Sequence, residues 1–266
     1  MLKLTNLSMV FHAGSINEVR ALTGVNLHLS PGEFVSVIGS NGAGKSTLLN
    51  TIAGVFPVTQ GEVTINGQDV TGWPEYRRAA MVGRVFQDPL LGTAASMTIE
   101  QNLTLAIKRG QRRGLRRGVT PHLRARFREA LAQFGLGLED RLDARVRLLS
   151  GGQRQTLTLL MATLAQPKVL LLDEHTAALD PATAHRIVTM TNDIVGQTHL
   201  TTLMVTHNMK QALEMGSRTL MMHNGEILFD FTGQERANLT VAGLLDMFAK
   251  VRQQELTDDR LLLADP

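Results

Sequence analysis

Three stretches of this chain place phosphate-handling and metal-handling residue types at usable spacings. Gly39-Ser40-Asn41-Gly42-Ala43-Gly44-Lys45-Ser46-Thr47 satisfies the pattern G-x-x-x-x-G-K-S in full. Its glycines let the backbone curl until successive N–H groups face phosphate oxygens. Residues Ser40 to Thr47 are therefore the expected phosphate cradle, with Lys45 reaching the β- and γ-phosphates and the Ser46 hydroxyl taking Mg²⁺. Further on, Val169-Leu-Leu-Leu-Asp173-Glu174 is an apolar run ending in two carboxylates. Asp173 is expected to hold Mg²⁺, directly or through water, and Glu174 to polarise an attacking water. Between them lies Leu149-Ser150-Gly151-Gly152-Gln153-Arg154-Gln155. A serine and two glycines at a helix start offer free N–H donors and a hydroxyl, which suit a γ-phosphate. Any one of these stretches alone could be a glycine-rich turn or a pair of surface acids; their combination points to a nucleotide.

The elements that must position these groups are legible from patterning. Leu2–Phe11 and Val19–Leu29 read as strands closed by the turn Ser30-Pro31-Gly32-Glu33, and Phe34–Ile38 as a buried strand leading into the glycine loop. A helix is expected over Ser46–Val55, and a hairpin around Asn66-Gly67 between Glu62–Ile65 and a strand starting at Gln68. From about Asp88 to Gln166 the pattern turns helical and basic, which reads as an inserted lobe. It then returns to strand (Val169–Leu172), helix (Pro181–Gly196), strand (Thr202–Thr206) and a hairpin of Thr219–Met222 with Glu226–Phe231 around Asn224-Gly225. Leu239–Gln253 is expected as a last amphipathic helix with Val241, Leu244, Leu245 and Phe248 on one face, and residues 255–266 as a fraying tail.

At 266 residues the chain can bury a large core as one α/β domain with an insertion. It has no cysteine, which excludes disulfides and thiolate-held metals and suits a reducing cytoplasm. The first residues alternate like a strand, without a signal pattern, and no stretch approaches the ~20 apolar residues of a membrane helix. Of the 27 basic residues, nine fall in Lys108–Arg128 with no acid among them, and the rest of the chain is net acidic. Such a local charge argues against a general nucleic-acid binder. It is either a solvated face or a surface for an anionic leaflet or acidic permease loops, with Arg112, Arg113, Arg116 and Arg117 at its centre.

In this order, the phosphate loop, Gln87, Leu-Ser-Gly-Gly-Gln, Leu-Leu-Leu-Asp-Glu, Ala178-Leu179-Asp180 and His207 resemble the nucleotide-binding subunits of ABC transporters, over about residues 1–235. The resemblance implies a P-loop NTPase fold: a mixed sheet with flanking helices, an antiparallel β subdomain at the N-terminus and an inserted helical signature subdomain at about 88–166. Residues 236–266 would be a C-terminal helix and tail. The activity implied is ATP hydrolysis with Mg²⁺, in a head-to-tail homodimer that sandwiches two ATPs. Each site would pair one chain's phosphate loop with the partner's Ser150, Gly151, Gly152 and Gln153. By resemblance, Gln87 touches Mg²⁺ and the water, His207 senses the γ-phosphate, Asp180 links the two sites, and the Phe11 ring stacks on adenine. An integral membrane permease is implied too, with the subunit peripheral on the cytoplasmic face of the inner membrane.

Residues Gly14–Leu22, Arg84–Pro89 and Met221–Asp230 are similar to a bacterial subgroup that accompanies solute-binding proteins of the tryptophan/tyrosine-transporter kind. This favours import of a small molecule such as an amino acid. Lipoprotein-releasing or macrolide-export ATPases and a soluble cofactor-assembly ATPase are the alternatives. One departure stands out: the family has proline after Asp-Glu where this chain has His175, which is expected to be structural and not catalytic.

Overall fold

The computed structural model of the protein describes residues 1–111 and 118–251. Arg112, Arg113, Arg116 and Arg117, the centre of the basic stretch, lie outside the described residues, as do 252–266.

Ten strands follow in chain order among the described residues: β1 (Leu2–Phe11), β2 (Val19–Leu29), β3 (Phe34–Gly39), β4 (Gln60–Ile65), β5 (Gln68–Asp69), β6 (Val82–Val85), β7 (Val169–Asp173), β8 (Thr201–Val205), β9 (Arg218–His223) and β10 (Glu226–Phe231). They make two sheets whose sequences differ in kind. In β1 and β2 buried leucines and valines alternate with exposed polar residues, the signature of a strand wet on one face. They join β4 and β5 in an antiparallel sheet of order β2-β1-β4-β5. By contrast β3, β7 and β8 are buried nearly throughout, because the second sheet is covered on both faces, by helices on one and by the antiparallel sheet with the phosphate-loop helix on the other. Its order is β10-β9-β3-β8-β7-β6, with β9 to β6 parallel and β10 an antiparallel edge. Both Asn-Gly pairs turn their hairpins with positive φ at both residues, 52° and 76° at Asn66-Gly67 and 45° and 82° at Asn224-Gly225.

The main core joins the antiparallel sheet to the phosphate-loop helix and one face of the parallel sheet, through residues such as Leu4, Val37, Leu48, Ile52, Ile65 and Leu203. The helices Ile99–Ile107, Pro121–Ala132 and Gly151–Thr163 share a separate apolar cluster built on Leu103, Phe127, Leu131 and Leu157.

Patterning misjudged two places. The helical run expected from Asp88 begins only at Ile99, because Pro89 and Gly92 hold the preceding segment out of helix. Thr98 and Gln101 then form a capping box that starts it. At the C-terminus, the chain is helical over 241–251 and packs Leu244, Met247 and Phe248 against Ile38, Met221 and Phe231. Val241 and Leu245, expected on that face, are exposed. Leu245 sits about 100° around the helix from Leu244, so both cannot point at one narrow contact.

Candidate functional site

Four parallel strands lie side by side as β3-β8-β7-β6, and each delivers chemical groups at its carboxyl end. The phosphate loop leaves β3, His207 follows β8, Asp173 and Glu174 close β7, and Gln87 follows β6. The register puts Val37, Val205 and Asp173 at one level. Segments separated by more than 100 residues are thus aligned on one sheet edge, where ligands of parallel sheets collect.

The glycines of the loop are required by space as well as by dihedral. A Cβ on Gly39 would stand 2.4 Å from the Met222 carbonyl oxygen, and one on Gly44, whose φ is +92°, would stand 2.5 Å from that of Ala21. Gly44 caps the helix Lys45–Ala53, whose N-terminus carries positive partial charge. The Lys45 side chain is buried, and its Nζ donates to the Gly39 and Ser40 carbonyls, at 2.8 Å each. Burial lowers the Lys45 ammonium from its ordinary value, against the opposing pull of the Glu174 and Asp173 carboxylates.

A cavity of about 360 Å³ sits over this loop, lined by residues 41–47, Phe11, Val19, Arg20, Ala21, Glu174 and His207. Sequence reasoning found Phe11 and missed Val19–Ala21. The pairing that adds them was available, since a β1–β2 hairpin sets Phe11 opposite Val19 and Val10 opposite Arg20. The Phe11 ring meets Phe56 edge-to-face at 5.1 Å, so it both packs on the core and borders the cavity. A larger cavity, about 690 Å³, adjoins on Glu174 and His207 and extends past Leu179, His185 and Lys210. The smaller one holds the phosphate loop, and chemistry rather than volume makes it the nucleotide candidate.

Glu174 adopts φ +44°, a left-handed conformation costly for a residue with a Cβ. Its N–H donates to the Val205 carbonyl at 2.9 Å, and its Oε1 lies 2.5 Å from His207 Nε2. Two buried amides strap the segment that carries it. Gln211 bonds Thr176 and Thr206, tying the loop after β7 to the loop after β8. On the other side Gln155 donates to the His175 carbonyl. Asp173 Oδ2 is 3.3 Å from Arg84 Nη2, and Arg84 Nη1 donates to Asn50 Oδ1 at 2.7 Å. Gln155 and Arg84 stand inside stretches that the sequence marks, yet nothing there gave them a role, and Gln211 stands in none; their importance lies in contacts between distant segments.

Several expected residues do not line the loop cavity. Ser150, Gly151, Gly152 and Gln153 do not line the phosphate cavity of their own chain. They open the helix Gly151–Thr163, where Ser150 and Gln153 form a capping box and Gly151 is exposed. Gln87 is exposed beyond β6. Asp180 caps the helix Pro181–Thr198 by accepting from the Thr183 N–H at 3.0 Å, and its hydrogen bonds to Thr183 hold its carboxyl below the ordinary value. Among the described residues no cluster of three His, Cys, Asp or Glu side chains could hold a metal. The donors that could serve Mg²⁺ are of mixed type: the Ser46 hydroxyl, the Gln87 amide oxygen and the Asp173 carboxylate, all hard oxygens of the kind that ion prefers.

The family model described as ABC transporter matches residues 22–177. Over 248 residues the chain is 46% identical to the tyrosine transport ATP-binding protein of Clostridioides difficile (strain R20291), covering 93% of this chain and 98% of that one. It is 34% identical over 238 residues to the methionine import ATP-binding protein MetN of Escherichia coli (strain K12), covering 88% of this chain but 66% of MetN. Among solved structures, a dimeric ATP-binding cassette in a post-hydrolysis state with ADP and Pi superposes with a TM-score of 0.75 at 29% identity, covering 87% of this chain and 98% of that one.

Proposed function

We propose, from the premise that this chain belongs to the ABC transporter family and is an ATPase, that it drives import of a small solute of the amino-acid class through a separate membrane permease. The observation that carries the solute class is the 46% identity to a tyrosine transport ATP-binding protein along 98% of that relative. In this reading the phosphate loop and Lys45 hold the β- and γ-phosphates, and Phe11 borders the base. Glu174 polarises the attacking water, with His207 beside it at 2.5 Å. Mg²⁺ arriving with ATP would be held by Ser46, Asp173 and Gln87 and would neutralise phosphate charge.

Two features support the wider assembly. The donor face Ser150–Gln153 lies off its own chain's phosphate cavity, which fits a head-to-tail homodimer whose sites are completed by the partner. A cleft of about 260 Å³, lined by Glu75, Ala79, Phe86, Leu91, Gly92 and Arg109, reaches the residue that precedes Gln87, with Leu91 exposed at it. An apolar rim with charged walls suits a short permease segment. Among the described residues no helix is long and apolar enough to cross a membrane. The reading assigns that passage to the permease, places this subunit on the cytoplasmic face of the cell membrane, and adds an extracytoplasmic solute-binding protein.

The test uses Glu174→Gln protein expressed in its native host, held with ATP and Mg²⁺ and recovered from solubilised membranes. Turnover should fall about 10²- to 10⁴-fold with ATP still bound. Mass spectrometry should find a multi-spanning permease co-purifying. Recovery only from the soluble fraction would overturn the transport reading in favour of a soluble assembly ATPase.

A further inference from the structure

Gln155 is 1% exposed, five residues into the stretch that begins with the donor Ser150. Its Nε2 donates to the His175 carbonyl at 2.7 Å and to the Phe86 carbonyl at 3.3 Å. Carbonyls only accept, so these partners fix which end of the amide faces them. The Thr158 hydroxyl, 3.5 Å away, faces its Oε1. His175 directly follows Glu174, and Phe86 directly precedes Gln87. One side chain on the signature helix therefore grips the backbone next to both of those residues. The contact continues toward the metal donors, since the Arg84 guanidinium lies 4.4 Å from the Phe86 ring centroid and 3.3 Å from Asp173 Oδ2.

We infer that Gln155 is a positioning residue for ATP hydrolysis, locking the signature helix to the segments that carry Gln87 and Glu174. The inference rests on the roles proposed above for those two residues. Its physical content is geometric. The helix has no other side-chain hydrogen bond among those described to both segments at once. Without the amide, the two carbonyls lose their shared donor, and the helix can shift against them by the fraction of an ångström that decides in-line geometry. In a head-to-tail dimer the consequence is larger. The donor face of one chain serves the partner's ATP while its Glu174 serves its own, so Gln155 would tie the two sites together through the interior of each chain. Nucleotide binding by a single chain uses residues 41–47 and Phe11, which Gln155 does not touch.

Gln155→Met and Gln155→Leu remove the donor and put an apolar side chain of similar bulk in its place. The expected result is a kcat about 10- to 100-fold lower, an ATP Kd within about twofold of wild type and a thermal midpoint still above the assay temperature. Such a split of kcat from affinity in folded protein is not what a purely structural amide would give. Wild-type kcat in whichever variant folds would overturn the inference. Glu174→Gln is measured alongside: if it also turns over at the wild-type rate, the site assignment fails, whereas a dead Glu174→Gln with an unaffected Gln155→Met sinks only the positioning role.

Discussion

His175 occupies the place where the family has proline, and its surroundings fix its state. The ring is 2% exposed, and Nε2 is 3.2 Å from Thr191 Oγ1, whose own proton goes to the Ile187 carbonyl at 2.8 Å. Thr191 can then only accept from the histidine, so Nε2 carries the proton and Nδ1 does not. Burial pushes the imidazole down to about 4. The unfolded chain, titrating near 6.5, binds the extra proton first, so stability from this group is complete above pH 6.5 and is lost as pH falls toward 4. A shift of that size corresponds to roughly 3 kcal/mol. His175→Asn should therefore flatten the fall of unfolding free energy between those pH values in urea titrations, and leave the pH profile of hydrolysis above pH 6.5 unchanged. A changed hydrolysis profile would make His175 catalytic. Position 175 shows what a motif can carry: sequence marked it as a departure, but only packing against Thr191 explains why a histidine is tolerated.

At the level of elements, the phosphate-loop helix Lys45–Ala53 is finished by a residue far outside its motif. Arg78 is 1% exposed, and its guanidinium donates to the Thr51, Ile52, Thr71 and Trp73 carbonyls, at 2.7, 3.0, 2.8 and 3.0 Å. Two of these lie in the last turn of the helix, where carbonyls run short of intrahelical donors; Thr51 also accepts from the Gly54 N–H at 3.2 Å, and a cation there complements the helix dipole. Among the described residues no carboxylate pairs with the group at hydrogen-bond distance; Asp69 acts only as a more distant charge. Arg78→Met should cost about 3 kcal/mol or more, since it orphans several buried acceptors at once. It should loosen the loop's helix enough to weaken ATP binding as well; denaturant melts and nucleotide titration read both. The limits of every strand but β6 were legible to within a residue or two, because alternation and Asn-Gly turns act locally, whereas β6 has only four residues. The short helix Glu75–Arg78 that presents this arginine was not, since four residues carry no period.

For the whole molecule, the order of strands matters more than their existence. Were β6 or β8 placed at another position in the sheet, the same motifs would be present without converging. Sharing of sites between two chains belongs to this scale and gives a direct test. Lys45→Ala disables a chain's own phosphate loop. Gly151→Asp puts a carboxylate into the donor face at a position where a Cβ meets only Leu179 at 3.7 Å, so the helix should tolerate it. Each variant alone should be inactive. Mixed in equal amounts, they should recover about a quarter of the wild-type rate, because half the dimers are mixed and each contains one intact composite site. A dead mixture in the presence of ATP-dependent dimers would refute shared sites.

What the sequence by itself determined is whatever depends on neighbours along the chain: the phosphate-loop pattern, the carboxylates at the end of an apolar strand, the hairpin turns and the absence of thiol chemistry. Periodicity and loop chemistry are short-range, and a few residues suffice to express them. What only the tertiary structure decided is the row of groups on the β3-β8-β7-β6 edge, the Glu174–His207 contact, and the grips of Gln155, Gln211 and Arg78 on remote carbonyls and hydroxyls. Each of these joins segments tens of residues or more apart, and a lone glutamine or arginine has no local signature. Its partner is chosen by which buried polar groups the fold would otherwise leave unsatisfied.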